Sequence, residues 1–307
     1  PYQKMLPRER IFLKFWDRSK ELHINNKEYR DFTNKFFSLL LKSDIKKGDL
    51  TSDSLIEKNR NISADIVAKE TGILAGIEEF RFLNGGLKIK QFKNDGDRIK
   101  SGEILLKLSG NAVKILERER TNLNLLQRMS GIATSTKDLS KKLDGVKIAA
   151  TRKTLWGLLD KKAVSIGGGL THRLNLSDGI IIKDNHLKTM DCDFKKAINS
   201  VKNKSRYIEI EVENKKQALE AALIIKNAKE SDKNIFAIML DKIKPEEIKS
   251  IIKELKIQNL YEYVLLEASG NISRENLHEY SDCGADIISM GCITNSAKAL
   301  NMSMEIE

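Results

Sequence analysis

Six short apolar runs in the second half of the chain set the tightest limit on its fold. They span residues 146–150, 179–182, 207–212, 235–240, 263–266 and 286–290. Amphipathic helical stretches lie between them. In 245–255, Ile248, Ile251, Ile252 and Leu255 share one face, and Pro245 suits a first helical turn. Repeated strand–helix alternation means parallel strands joined by crossover helices. The polar residues fall just after the runs: Thr151, Arg152 and Lys153, then Lys183, then Asp241, then Glu267, Ser269 and Gly270, then Gly291. An α/β barrel collects its active site at those carboxyl ends. An open doubly wound sheet obeys a similar rule, so the pattern alone leaves both open.

The run Tyr207-Ile-Glu-Ile-Glu-Val212 alternates strictly. In a central strand the isoleucines face the covering helices, and Glu209 and Glu211 point inward. Buried carboxylates without partners are costly, so both are expected to meet a cation. Residues 151–186 supply cations: Arg152, Lys153, Lys161, Lys162, His172, Arg173 and Lys183. The Gly167-Gly168-Gly169 triplet in the same stretch lets backbone approach a ligand or a strand closely. Cations at strand ends suit carboxylates and phosphates, arginine as a planar fork and lysine as a point charge. Glu211 and Asp241 are acids in that cationic setting. As hard oxygen ligands they point to Mg²⁺. His172 and His186 have no ligand partners at the usual sequence spacings, which argues against a His or Cys metal centre.

The first half reads differently. Residues 62–67 and 87–92 alternate like strands, with turns at 94–97 and 101–102. Residues 111–142 carry a helical pattern, which Gly131 is expected to interrupt or end. Residues 1–43 read as basic and amphipathic, a packing or dimer helix rather than a membrane-surface one. Of 307 residues 40% are hydrophobic, enough for one large domain or two smaller ones. Only three prolines occur, and no Pro/Ser/Gly linker separates domains. Cys192, Cys283 and Cys292 lack CxxC spacing, which argues against a disulfide framework and favours a reducing, cytoplasmic setting. No apolar run approaches the ~20 residues of a membrane span. The net charge of +11 admits a nucleic-acid partner. The sequence offers no aromatic–basic platform for one, so neither nucleic acid nor membrane is expected as a partner.

The strings Ala150-Thr-Arg-Lys-Thr154, Asp160-Lys-Lys-Ala-Val164, Gly167-Gly-Gly169, His172-Arg173 and Ile182-Lys-Asp-Asn-His186 resemble quinolinate phosphoribosyltransferase. That family is also called nicotinate-nucleotide pyrophosphorylase (carboxylating). Gly48-Asp-Leu-Thr51, Gly72-Ile-Leu-Ala-Gly76, Glu119-Arg-Thr121 and Ser130-Gly-Ile-Ala-Thr134 are similar to its amino-terminal domain. Glu209-Ile-Glu-Val212, Leu240-Asp241, Glu267-Ala-Ser-Gly270 and Gly291 are similar to its barrel.

The resemblance implies an incomplete α/β barrel with an amino-terminal open-faced sandwich of mixed α+β structure. It divides the chain into a helical extension at 1–34, the sandwich at 35–142, the barrel at 143–293 and a return to the sandwich at 294–307. It implies transfer from phosphoribosyl pyrophosphate to quinolinate with decarboxylation, giving nicotinate mononucleotide, CO₂ and pyrophosphate for NAD biosynthesis. Lys153, Lys183, Glu211 and Asp241 would be catalytic. Arg152, Lys153, His172, Arg173 and Lys183 would hold the quinolinate carboxylates and the donor. Ser269, Gly270 and Gly291 would contact the 5-phosphate. Glu211 and Asp241 would serve the Mg²⁺–pyrophosphate assembly, directly or indirectly. Arg120 would come from the partner subunit of a homodimer, alone or within a hexamer. A related enzyme using nicotinate, or the paralogue encoded with molybdate transport genes, is the alternative. Ala150, Trp156-Gly157, Leu158 and Leu159, Thr171, Asn271 and Asn295 depart from the common pattern of the family, most of them around the acceptor.

Overall fold

A computed structural model describes residues 7–228 and 234–307. The helix expected at 1–43 therefore lies outside the described residues over its first six positions. Numbered in chain order, the helices are α1 (Pro7–Trp16), α2 (Lys27–Ile45), α3 (Leu50–Leu55), α4 (Ile77–Leu83), α5 (Ala112–Ser140), α6 (Leu158–Ile166), α7 (Asp184–Lys188), α8 (Phe194–Val201), α9 (Lys215–Ala228), α10 (Pro245–Ile257) and α11 (Cys292–Asn295). The strands are β1 (Asn61–Ala68), β2 (Gly72–Ile73), β3 (Lys88–Gln91), β4 (Arg98–Ile99), β5 (Ile104–Asn111), β6 (Lys147–Ala149), β7 (Ile180–Ile182), β8 (Tyr207–Val212), β9 (Ile235–Asp241), β10 (Leu265–Ser269), β11 (Ile287–Ser289) and β12 (Met302–Ile306).

Two compact units divide the chain. The first takes residues through Arg18, Asp138–Lys153 and Gly169–Cys292. It is the incomplete α/β barrel. Its six strands run in the order β6-β11-β10-β9-β8-β7, and every pairing is parallel. A parallel bridge from Ala149 to Leu170 extends the β6 edge. Crossover helices cover the sheet as the sequence pattern requires. In α10, Ile248, Ile251, Ile252 and Leu255 are all buried, and Pro245 sits in the first turn. Helix α1 belongs to this unit. Phe12, Phe15 and Trp16 pack into one cluster with Ala149, Leu170, Ala237, Leu265 and Ile287.

The second unit takes Ser19–Lys137, Thr154–Gly168 and Ile293–Glu307. Its sheet runs β12-β1-β5-β3, antiparallel throughout. The return of the chain end to the sandwich is thus a strand pairing, β12 against β1. Helix α2 starts at Asn26, whose side chain accepts from the amides of Glu28 and Tyr29 at 2.9 and 3.3 Å.

Three expectations change here. The stretch 1–34 is not one extension: it splits after Arg18, because the α1 aromatics are buried with barrel residues. Residues 154–168 fall in the sandwich unit, since Asp160 and Lys162 of α6 find their charge partners there. Finally, α5 runs unbroken through Gly131. A Cβ at that position would lie 2.1 Å from the Lys298 carbonyl oxygen, so the glycine admits a crossing backbone rather than ending the helix. No helix among the described residues is long and apolar enough to cross a membrane.

Candidate active site

The carboxyl ends of the barrel strands surround a cavity of about 440 Å³. Thr151, Arg152 and Lys153 reach it after β6, Lys183 after β7, and Glu211 near the end of β8. Asp241 ends β9, Ser269 ends β10, and Gly270 and Asn271 follow. His172 and Arg173 enter from the loop after the Leu170 bridge. Nine of the eleven residues expected to bind substrate therefore line one cavity. Gly291 adjoins it: a Cβ there would meet Lys153 Cδ at 2.9 Å, so the missing side chain keeps room for the lysine. Arg120 lies exposed on α5 in the sandwich unit and is not among the lining residues. A second cavity of similar volume, near the amino ends of β9 and β10, contains none of the expected residues.

Charge is sorted within the cavity. The Lys183 ammonium is 3.0 Å from Glu211, and Lys242 is 2.9 Å from Asp241. Arg152, Lys153 and Lys183 are exposed, whereas Glu211 is buried. Arg173 is buried, and both that burial and the neighbouring charge of Arg152 lower its pKa. Gly270 has φ +86°, and a Cβ there would lie 2.5 Å from Asp241 Oδ1 and 2.6 Å from the Lys242 amide. Glycine is needed to bring that turn against the carboxylate.

Beneath the cations sits a buried group formed by His172, Glu209 and Glu267. Glu209 does point inward and does meet a cation-forming group, as the alternation of β8 required. His172 Nε2 is 2.9 Å from Glu267 Oε2 and 3.4 Å from Glu209 Oε2. Burial alone would depress the imidazolium. The Glu267 and Glu209 carboxylates outweigh it and raise His172 to about 9. Burial, and then the like charge of Glu267, raise Glu209 to about 7. Burial also acts to raise Glu267, but the charge and hydrogen bond of His172 prevail and hold it below the usual carboxylate range.

One bond bears on where the proton rests. The Arg173 amide donates to His172 Nδ1 at 2.8 Å, which requires a lone pair on that nitrogen. The group carries a charge of −1 either as an imidazolium with two carboxylates or as a neutral imidazole with one carboxyl protonated. The amide contact favours the second form, whereas the two carboxylates that raise His172 favour the first. Neither oxygen of Glu209 has a hydrogen-bond partner, which together with its burial favours the protonated carboxyl there.

His172 has no ligand partners at the usual sequence spacings, but the fold brings it two acidic ones. They come from β8 and β10, 37 and 95 residues away, a separation that motif spacing does not register. Sequence reasoning also missed Ser289. Its hydroxyl donates to Glu267 Oε1 and lies 2.9 Å from the Ser269 hydroxyl. Position at a strand end was the one available signal. Lys161 and Lys162, read as part of the cationic stretch, are buried in the sandwich unit and do not line the cavity. The glycine triplet is not a ligand loop either. A Cβ on Gly167 would lie 2.5 Å from the Ala133 carbonyl oxygen, so it serves the packing of α6 on α5. Of the departures from the family pattern, Trp156 packs tilted against Phe36 and edge-on against Phe37 of the sandwich unit, and buried Ala150 does not line the cavity.

A parallel barrel whose strand ends gather six cationic or imidazole side chains and three carboxylates around one cavity defines an enzyme acting on anionic substrates. Residues 49–130 match the model for the quinolinate phosphoribosyl transferase N-terminal domain, and residues 132–305 match that for its C-terminal domain. The chain belongs to the quinolinate phosphoribosyltransferase family. It is 38% identical over 278 residues to a probable nicotinate-nucleotide pyrophosphorylase (carboxylating) of Methanothermobacter thermautotrophicus, covering 87% of this chain and 96% of that protein. A Bacillus subtilis protein of the same description is 37% identical, covering 92% of this chain and 95% of its own length. The crystal structure of nicotinate-nucleotide pyrophosphorylase from Ehrlichia chaffeensis superposes with a TM-score of 0.78 at 34% identity, covering 89% of this chain and 98% of that one.

Proposed function

We propose that this chain transfers the phosphoribosyl group of phosphoribosyl pyrophosphate to quinolinate, releasing pyrophosphate and CO₂ and forming nicotinate mononucleotide. One observation carries the reading. Arg152, Lys153, Arg173 and Lys183 share a cavity with Glu211 and Asp241, which matches a dicarboxylate acceptor beside a phosphorylated donor. Its family relatives are named for this reaction.

Arg152, Arg173 and His172 bind and orient the two carboxylates, the arginines by planar paired hydrogen bonds. Fixing the pyridine nitrogen against the ribose carbon supplies proximity. The nitrogen–carbon bond forms as the carbon–oxygen bond to pyrophosphate breaks, and the electron pair leaves with pyrophosphate. Lys153 and Lys183 offset negative charge at the reacting centre. The bond to the carboxylate beside the nitrogen then breaks. Its electron pair stays on the ring carbon, stabilised by the adjacent positive nitrogen, and a proton takes the place of CO₂. Ser269, Gly270 and Gly291 receive the 5-phosphate.

Glu211 and Asp241 suit Mg²⁺. Both are oxygen donors on neighbouring strands, and the turn at Gly270 keeps the Asp241 face free of a Cβ. Bound there with phosphate oxygens, the ion would neutralise charge on the leaving pyrophosphate. Arg120 completes the site from a second copy of the chain, as a homodimer alone or within a hexamer. The three cysteines are free, which fits a reducing cytoplasm.

The test is direct. The purified chain with quinolinate, phosphoribosyl pyrophosphate and Mg²⁺ should release CO₂ and nicotinate mononucleotide in equal amounts. Product from nicotinate but none from quinolinate would overturn the acceptor assignment.

A further inference from the structure

We propose that residues 16–18, which lie ahead of the segments matching the family models, form a clamp that sets the His172–Arg173 turn for the acceptor. The inference rests on the reading of that turn as an acceptor-binding element.

The turn needs holding. His172 has φ +55°, a left-handed backbone that a residue with a Cβ adopts only when its surroundings enforce it. The enforcing contacts come from the end of α1. The His172 amide donates to the Trp16 carbonyl at 2.7 Å. The Arg18 amide donates to Thr171 Oγ1, also at 2.7 Å. The Arg18 side chain continues the clamp. Its Nε donates to Asp178 Oδ1 at 2.9 Å, and Asp178 Oδ2 accepts from the Leu174 amide at 2.9 Å. The 171–178 loop is thus pinned on both sides of the His172–Arg173 pair.

The clamp is itself anchored. Trp16 is fully buried in the barrel cluster. The Arg18 guanidinium lies 4.3 Å over the Tyr207 ring, and Nη1 donates to the Lys14 carbonyl at 2.8 Å. The same contacts give Thr171 a purpose. It is one of the departures from the family pattern read in the sequence, and its hydroxyl is the acceptor that the Arg18 amide uses. Arg18 and Thr171 are positioning residues, since the substrate meets His172 and Arg173 and not them.

The experiment uses Arg18→Ala, the smaller lesion Thr171→Val, and Arg18→Lys, which can restore a cation opposite Asp178. Steady-state rates with each substrate varied and amide hydrogen exchange of the free protein are both read. For Arg18→Ala the expectation is a tenfold or greater rise in KM for quinolinate. KM for phosphoribosyl pyrophosphate and kcat should stay within threefold. Thr171→Val should shift KM the same way by a smaller factor, and Arg18→Lys should recover part of the loss. Exchange should rise at His172 and Leu174 without a general rise across the barrel strands. Unchanged exchange in that loop would overturn the clamp, whatever the enzyme's substrate proves to be. Faster exchange with no selective loss in KM for quinolinate would overturn its link to the acceptor. Should the wild type not use quinolinate, exchange alone still decides the clamp, and only the functional reading falls.

Discussion

Lys162 and Lys183 stand 21 positions apart in one cationic stretch, yet they belong to different kinds of structure. Lys162 has only 8% of its side chain exposed and bonds Glu78 and, at 2.6 Å, Glu79, whose other contact is the Tyr29 hydroxyl at 2.7 Å. Lys183 is 48% exposed and leans on Glu211 at the cavity wall. The first is spent inside a closed polar network. The second has surface left for an anion. Charge alone therefore says little about a lysine: what matters is whether its partners already surround it. The chain passes from barrel unit to sandwich unit at Lys153/Thr154 and back at Gly168/Gly169, inside what reads as a single motif-rich segment.

The contrast can be broken most forcefully at Lys162. Lys162→Met leaves Glu79 buried without its cation and should cost roughly 3–5 kcal/mol of stability, measured by denaturant unfolding. The folded fraction should retain its turnover. Wild-type stability in that variant would refute the structural role.

Next comes the functional lysine. Lys183→Ala or Lys153→Ala should cut kcat by about 10²–10³-fold, the scale of one lost charge-stabilising donor. The melting temperature should change less than in Lys162→Met, because the Lys183–Glu211 pair opens to solvent on the lysine side. Near-normal turnover would remove these residues from the mechanism. Gly167→Ala probes the sandwich side of the segment with a milder lesion. Its Cβ must displace the Ala133 carbonyl region, so a loss of about 1–3 kcal/mol is expected from overpacking, read as a lower denaturant midpoint.

The smallest effect concerns pH and carries the contrast into β8, where Glu211 faces the cavity and Glu209 lies beneath it. Glu209 is raised to about 7, above its unfolded value of ~4.3. Its contribution to stability is therefore fully present below ~4.3 and is lost as pH rises through about 7. Glu267, held low, acts in the opposite sense, but only as pH falls below ~4.3. Glu209→Gln should flatten the decline between those limits. An unchanged slope would place the proton elsewhere in the group.

Much of this was legible in the sequence. The six strands form where alternation and apolar runs put them, within two or three residues. The polar residues that follow them converge because parallel strands deliver their carboxyl ends to one side. Glu209 and Glu211 are buried as the strict alternation of β8 demanded. The failures share a cause. Gly131 looks like a break because local propensity knows nothing of the backbone packed against it, and the glycine triplet did not reveal that the backbone approaching Gly167 is that of α5. Lys162 reads as one more cation of its stretch because its acidic neighbours are more than eighty residues away.

By itself, the sequence determined a parallel sheet with a reactive carboxyl end, which follow from periodicity, and a family resemblance, carried by ordered motifs, that implied the barrel. Tertiary structure alone decided which cations remain available, which carboxylates gather around His172, and that α1 serves the barrel rather than an independent extension. Those outcomes depend on burial and on contacts between distant segments. Desolvation and hydrogen-bond geometry, which no local string of residues encodes, set them.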